Sequence, residues 1–325
     1  MILITGATGF LGAELTQQLT EQGLKVRALK RENSKIPALL KGNQLIEWFN
    51  ADINDFSTLE EAFEGIIKVY HCAGLVSFDS KDKLKLIRVN IEGTSNVVNI
   101  CVEQQIRLLH VSSVAALGIP KKGQQQITED DYWEYSPHVH TYAISKYEGE
   151  MEVWRGIAEG LEAVIVNPSV IIGANAGYEG SGAIFKLVKG GLSFYTNGAT
   201  GLVDVQDVAK SMILLMDSTV HSERYTLSAE NIHFKNLFTE IAIGFGLKAP
   251  SREAKPWMLG IAWRAAKVAS LFTGSRYGIT SDTVSSSITA NYYSNTKIIN
   301  TIGIKFKPLD QSIREVCAAL IKHNP

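Results

Sequence analysis

The first twelve residues, Met1-Ile-Leu-Ile-Thr-Gly-Ala-Thr-Gly-Phe-Leu-Gly12, constrain the fold more than any other stretch. Ile2, Leu3 and Ile4 make an apolar, β-branched run too short to begin a helix. Gly6, Gly9 and Gly12 follow, and an amphipathic run extends from Phe10 to Leu19. The order is strand, tight turn, helix. Gly6 lets the chain turn sharply off the strand, Gly9 lets a pyrophosphate approach the backbone, and Gly12 lets the helix pack closely on a sheet. The helix N-terminus then presents unpaired N–H groups and the positive end of a dipole. The spacing is G-x-x-G-x-x-G rather than G-x-G-x-x-G. The placement of the glycines, after a strand and opening a helix, therefore carries the inference of nucleotide binding.

The rest of the chain repeats that alternation. Candidate strands are 2–5, 24–30, 44–49, 67–72, 107–112 and 162–167, with helical patterns at 10–22, 57–64, 83–105 and 142–159. Short strands separated by helices predict βαβ units, right-handed crossovers and an α/β, doubly wound parallel sheet. Ligands of such sheets sit beyond the carboxyl ends of the strands. Gly6, Lys30 and Arg31, Asp52, Ala73 and Gly74, and Ser112 and Ser113 all follow strand ends. Residues 1–172 are expected to form a dinucleotide-binding domain, with 202–217 returning to it. Residues 173–325 read as a small, mostly helical substrate lobe. It opens with a glycine-rich stretch, 173–202, expected to be loop-rich.

Composition narrows the function classes. Net charge is −1 in 325 residues, so nothing draws the chain globally toward nucleic acid or anionic membrane. Cys72, Cys101 and Cys317 are odd in number and far apart. They suggest neither a metal site nor a disulfide framework, and point to a reducing, cytoplasmic setting. A strand beginning at residue 2 leaves no room for a signal peptide. The run Trp257–Phe272 holds Arg264 and Lys267 and is shorter than the ~20 apolar residues of a membrane span. It reads as an amphipathic helix whose apolar face would serve a homodimer.

Tyr142-Ala-Ile-Ser-Lys146 begins a helical run. Residues four apart share a helix face, so the Tyr142 hydroxyl and the Lys146 ammonium can reach one site. A nearby ammonium favours the phenolate and would lower the tyrosine pKa from about 10 toward neutrality. Such a tyrosine exchanges a proton with a carbonyl or alcohol oxygen. Ser113, at a strand end, would hold that oxygen.

With these residues assembled, the chain resembles the extended short-chain dehydrogenases/reductases, strongly over residues 1 to about 217. The run Thr5–Gly12 is similar to their cofactor turn, which implies contacts from Gly6, Thr8, Gly9, Phe10, Leu11 and Gly12. Asp52 and Ile53 resemble the pair at the adenine. His71-Cys-Ala73-Gly74 is similar to the motif beside the ribose, and Asn90 matches an Asn that supports the active-site helix. Ser113, Tyr142 and Lys146 match the catalytic residues. The resemblance implies that Lys146 also bonds the nicotinamide ribose, and that Asn167-Pro168-Ser169-Val170 runs beside the nicotinamide. Val26–Arg31 and Val166–Ile172 resemble the dihydroflavonol reductase-like branch, which reduces ketones or aldehydes with NADPH.

Two choices remain for the residues themselves. An NAD-preferring site places an acid at the second strand end, but here Lys30 and Arg31 stand there, followed by Glu32. The cations predict NADP(H), with NAD the alternative. Dehydratases of this family carry Thr-Asp-Glu at the fifth strand end; this chain has Ser113-Val114-Ala115. Epimerases carry a diphosphate-clamping Arg where Thr200 stands, and Asp204 nearby would add negative charge. Arg252 is the cation that would substitute, and Asn167 matches a position that epimerases use. The expectation is a reductase of a small carbonyl substrate. A nucleotide-sugar epimerase, a 3β-hydroxysteroid dehydrogenase-like enzyme and a non-catalytic cofactor sensor are the alternatives. His71 reads as a packed strand residue, His138 and His140 as loop residues, Cys72 as a small apolar residue, and Lys121 and Lys122 as solvated. Tyr178, Phe185, Phe194 and Tyr195 either line the pocket or fill the lobe's core.

Overall fold

The computed structural model describes residues 1–121, 123–135, 139–255, 257–261, 263–264 and 281–322. Seven parallel strands make the main sheet: β1 (Ile2–Thr5), β2 (Val26–Lys30), β3 (Ile46–Asn50), β4 (Lys68–His71), β5 (Arg107–Val111), β6 (Ala163–Pro168) and β10 (Glu223–Leu227). Their spatial order is β10-β6-β5-β4-β1-β2-β3, so the order in which the chain adds strands reverses between β1 and β4, the crevice where such sheets take ligands. The fold is the doubly wound α/β sheet that the sequence predicts.

Period-two geometry explains why the strands are apolar throughout. On β1, Ile2 and Ile4 enter one core while Leu3 enters the other. The same split places Leu109, Val164 and Val166 on the first face and Leu108, Ala163 and Ile165 on the second. Helices α1 (Phe10–Glu21) and α7 (Val205–Asp217) cover the first face through Leu11, Leu15, Leu19, Val208 and Met212. Helices α2 (Phe56–Ala62), α4 (Gly93–Glu103) and α5 (Thr141–Ala158) cover the second through Leu59, Val97, Cys101 and Val153.

The helix expected over 83–105 is not uniform. It runs as α3 (Lys83–Ile87), a π-helical turn at Arg88–Glu92, and then α4. Such turns re-aim a side chain within a continuous helix, and here the turn holds Asn90. The seventh strand, 223–227, lies beyond the candidate strands read from the sequence.

The C-terminal region has its own core. Strands β7 (Val170–Ile172), β9 (Ala199–Asp204) and β11 (Glu230–His233) form a second sheet, and β8 (Phe194–Tyr195) pairs with β12 (Arg252–Glu253). Helices α6 (Ala183–Lys189), α8 (Phe234–Gly244) and Leu309–Lys322 pack Phe185, Ile241, Ile313 and Val316 together. The 173–202 stretch, expected to be loop-rich, thus contains a helix whose Phe185 and Val188 are core residues. Of the helix expected over 257–272, residues 257–261 and 263–264 are helical and the rest lies outside the described residues, as do Lys122 and His138. Among the described residues, no helix is long and apolar enough to cross a membrane.

Candidate active site

The glycine turn is built by close approach. Gly6 has φ +69°, and a Cβ there would lie 2.7 Å from Ala73 N. A Cβ on Gly12 would lie 2.2 Å from Gly6 O, so the turn and the helix can close only on glycine. Gly9 N donates to Gly6 O at 2.9 Å, and Gly9 is exposed. The first turn of α1 carries no acidic residue, so its dipole end is not neutralised locally. The amides of Phe10, Leu11 and Gly12 lie in that turn, where no intrahelical acceptor exists. The Leu11 side chain is in the core, leaving only its backbone to face a ligand. Phe10 is half-buried beside Gly173, and Thr8 is half-buried at the turn.

A hydrogen-bond chain ties this turn to the active-site helix. Ala73 N donates to Thr5 Oγ1 at 3.1 Å. Thr5 Oγ1 meets His71 Nδ1 at 2.7 Å, and His71 Nε2 meets Thr94 Oγ1 at 3.0 Å. The single Thr94 hydroxyl proton goes to Asn90 O at 2.8 Å. Nε2 must therefore donate to Thr94, and Nδ1 must accept from Thr5. Burial pushes the His71 pKa down to about 3, so the neutral tautomer is the one present. His71 is a packed strand residue with both nitrogens partnered. From the π turn, Asn90 accepts from Leu75 N at 2.7 Å and donates to Leu75 O at 2.9 Å and Ser145 Oγ at 2.9 Å. One side chain thus fastens the Ala73–Leu75 loop to α5.

Tyr142 and Lys146 occupy the first two turns of α5, and Ser113 follows β5. Ser113 Oγ accepts from Ala115 N at 3.1 Å and lies beside the Tyr142 hydroxyl, whose ionised form it favours. Phe78 meets the Tyr142 ring edge-on at 5.6 Å between centroids, and His140 flanks Phe78. Lys146 is buried, donates to Val111 O at 3.0 Å and lies against Gly74, where a Cβ would stand 3.1 Å from Nζ. One sequence expectation is corrected here. Burial raises the Tyr142 pKa above its ordinary value, opposed by Ser113. Burial instead pushes Lys146 down, to about 8.

The remaining residues are distributed as follows. Lys30 ends β2 and Arg31 follows it, exposed; neither side chain makes a hydrogen bond or ion pair among the described residues. Asp52 Oδ1 accepts from Asn54 N and Nδ2, both at 2.9 Å, and the Ile53 side chain is buried. Pro168 ends β6 and Val170 begins β7, half-buried. Cys72 is half-buried, its thiol pushed up to about 12 by burial. Tyr178 and Phe185 pack in the lobe's core, and Lys235 lies over the Tyr195 ring. Asp204 does not add free charge near Thr200. It caps α7 through Gln206 N at 2.9 Å and pairs with Lys307 at 3.1 Å. Arg252 is exposed on β12. Sequence reasoning misses Phe78, which no local signal marks, and Glu150, which continues the Tyr142–Lys146 helix stripe by one more turn.

The residues fit a dinucleotide. A Cβ on Gly6 or Gly12 would fill the turn, the α1 amides face out uncompensated, and Gly74 leaves Lys146 room beside the loop. Comparison with known proteins agrees. Residues 2–228 match the NAD dependent epimerase/dehydratase family. A Synechocystis protein named "Putative dihydroflavonol 4-reductase" is 32% identical over 321 residues, covering 96% of this chain and 92% of that protein. Cinnamoyl-CoA reductase 1 of Petunia hybrida is 27% identical over 260 residues, 75% of this chain and 77% of its own. The crystal structure of gox2253 superposes with TM-score 0.83 at 28% identity, covering 100% of this chain and 98% of its own. The turn, the sheet that presents it and the matches over most of the length lead to one conclusion: this chain belongs to the NAD-dependent epimerase/dehydratase family, the extended short-chain dehydrogenases/reductases.

Proposed function

We propose that the protein is an NADP(H)-dependent reductase of a ketone or aldehyde. The observation that carries this reading is the meeting of Tyr142 and Ser113 at the end of β5, with Lys146 one helical turn away on the same face. A carbonyl oxygen seated between the two hydroxyls would accept from both. The bound nicotinamide supplies the hydride. Tyr142, kept protonated by burial, donates its proton as the oxygen gains charge. The phenolate left behind lies near the Lys146 ammonium, which favours it. Reduction therefore does not require a tyrosine ionised in advance.

In this reading the turn residues Gly6, Thr8, Gly9, Phe10, Leu11 and Gly12 hold the pyrophosphate. Lys30 and Arg31 hold the 2′-phosphate, Asp52 and Ile53 the adenine, Ala73 and Gly74 the ribose, and Pro168 and Val170 the nicotinamide. Residues 1–172, with 202–217 and the sheet strand β10, form the cofactor half, and the remainder of 173–325 admits the substrate. The names of the reductase relatives support a carbonyl substrate. Two features argue against sugar-nucleotide chemistry. Val114 and Ala115 cannot exchange protons. Asn167 Nδ2 is engaged by Ser113 O at 3.0 Å and Glu150 at 2.8 Å rather than offered to a ligand. Purified protein should oxidise NADPH with a ketone or aldehyde from a carbonyl panel and leave UDP- and GDP-sugars unchanged. Epimerisation of a nucleotide sugar without net cofactor turnover would overturn the proposal.

A further inference from the structure

Glu150 lies on α5 one turn beyond Lys146 and two beyond Tyr142, and is only 1% exposed. A buried carboxylate is costly unless donors surround it. Here four do. Oε2 accepts from Ser112 Oγ at 2.6 Å and Asn167 Nδ2 at 2.8 Å. Oε1 accepts from Arg224 Nη1 at 3.1 Å and Trp154 Nε1 at 3.3 Å. Asn167 Nδ2 also donates to Ser113 O at 3.0 Å, and Ser112 is the neighbour of Ser113. Arg224 in turn fastens the segment before α5, through Glu129 O at 2.9 and 2.6 Å and Asp131 O at 3.1 Å. Elsewhere α5 meets the sheet with Val153, Trp154 and Ile157, so packing alone does not call for an acid.

We propose that Glu150 is a positioning residue of this site, a buried anion that anchors Ser113 through Asn167 and Ser112 and stands behind Lys146 to maintain its charge. The proposal rests on the reading of Ser113, Tyr142 and Lys146 given above. Among the described residues, His71 of β4, Cys72 just after it, His110 of β5, and Tyr142 and Glu150 of α5 are the titratable groups around Lys146. Both histidines are neutral, and Cys72, pushed up to about 12, is neutral too. Cys72 and then Glu150 oppose the burial of Lys146, and with the thiol neutral Glu150 is the charged one of the two. Arg224, with the backbone of Glu129 and Asp131 beyond it, faces Glu150 from β10.

The test titrates Lys146 directly. Cofactor-free protein labelled with [ε-13C]lysine is followed by NMR against pH, with the Lys146 signal assigned by its loss in Lys146→Met. Wild type should titrate near the value of about 8. Glu150→Gln should move the midpoint down at least tenfold in proton concentration. Glu150→Gln combined with Arg224→Gln removes both charges, should fold where the single variant does not, and should keep a midpoint below wild type, by less than the single variant because the Arg224 cation is lost too. Glu150→Asp keeps the charge on a shorter stem. Its midpoint should stay near wild type while kcat for carbonyl reduction falls about tenfold or more and KM for NADPH stays within twofold. A wild-type midpoint in the folded double variant, or unchanged kcat in Glu150→Asp, would overturn the proposal. If no carbonyl is reduced, the reading of the reaction fails, while the titration still decides the role of Glu150.

Discussion

At the residue scale, each polar side chain of the site has one geometric task, and single substitutions separate the tasks. Tyr142→Phe removes the proton donor without touching the glycine turn. Its affinity for NADP+ should be nearly unchanged and kcat should fall by orders of magnitude, the signature of a lost transition-state interaction. Near-wild-type turnover in a steady-state assay would refute the assignment. The raised Tyr142 pKa sets a direction with pH. Carbonyl reduction needs the phenol and should hold through neutral pH. Alcohol oxidation needs the phenolate and should climb only on the alkaline side, as paired pH–rate profiles would read. Lys30 and Arg31 lack partners among the described residues, so a 2′-phosphate would meet them without competition. NADP+ should bind more tightly than NAD+, and Arg31→Ser should narrow the gap about tenfold in a fluorescence titration. Equal binding of both by wild type would contradict the prediction.

At the scale of elements, the strand pair β4–β5 carries two buried imidazoles, His71 and His110, stacked 5.2 Å apart. Both are neutral in the fold, His71 with its pKa down to about 3 and His110 well below its usual value. The unfolded chain titrates them near 6.5. Between those values the unfolded state binds more protons, so stability is intact above about pH 6.5 and drains as pH falls. From about pH 7 to about pH 5 each histidine should cost about 2 kcal/mol, measurable by urea denaturation. Equal stability at the two pH values would show that the pair is not buried neutral. The β1–α1 turn is equally specific. Gly12→Ala would push a methyl to 2.2 Å from Gly6 O, so cofactor binding should be lost and the midpoint of thermal unfolding should fall.

At the scale of the molecule, the sheet, α1 and α5 all contribute to one crevice, so a ligand there stabilises the whole fold. NADP+ at about a hundred times its dissociation constant should add about 2.7 kcal/mol, visible as a rise in Tm of several degrees that NAD+ at the same concentration does not match. The C-terminal region stands beside this crevice with its own core. It takes Tyr178 and Phe185 inward, which leaves fewer aromatic side chains to shape a substrate pocket than their number in the sequence suggests.

The doubly wound sheet was determined locally. Apolar runs of strand length, helices between them and glycines at a strand-to-helix turn are short-range signals, and 2–5, 107–111 and 163–168 appear nearly where the periodicity puts them. The spacing of Tyr142 and Lys146 is likewise set by one helix, and the strand end of Ser113 by one strand. What the sequence could not express is which distant residues meet. The seventh strand, 223–227, follows β6 in space but not in sequence, and only the sheet decides that Arg224 reaches Glu150. The protonation of Tyr142 and Lys146 was decided in the same way. A spacing of four predicts proximity, whereas the direction of each pKa depends on burial, which only the packed fold supplies. Helix and strand periodicities are written along the chain, but desolvation and hydrogen-bond partnership are properties of the packed interior, and they exist only once the fold has closed.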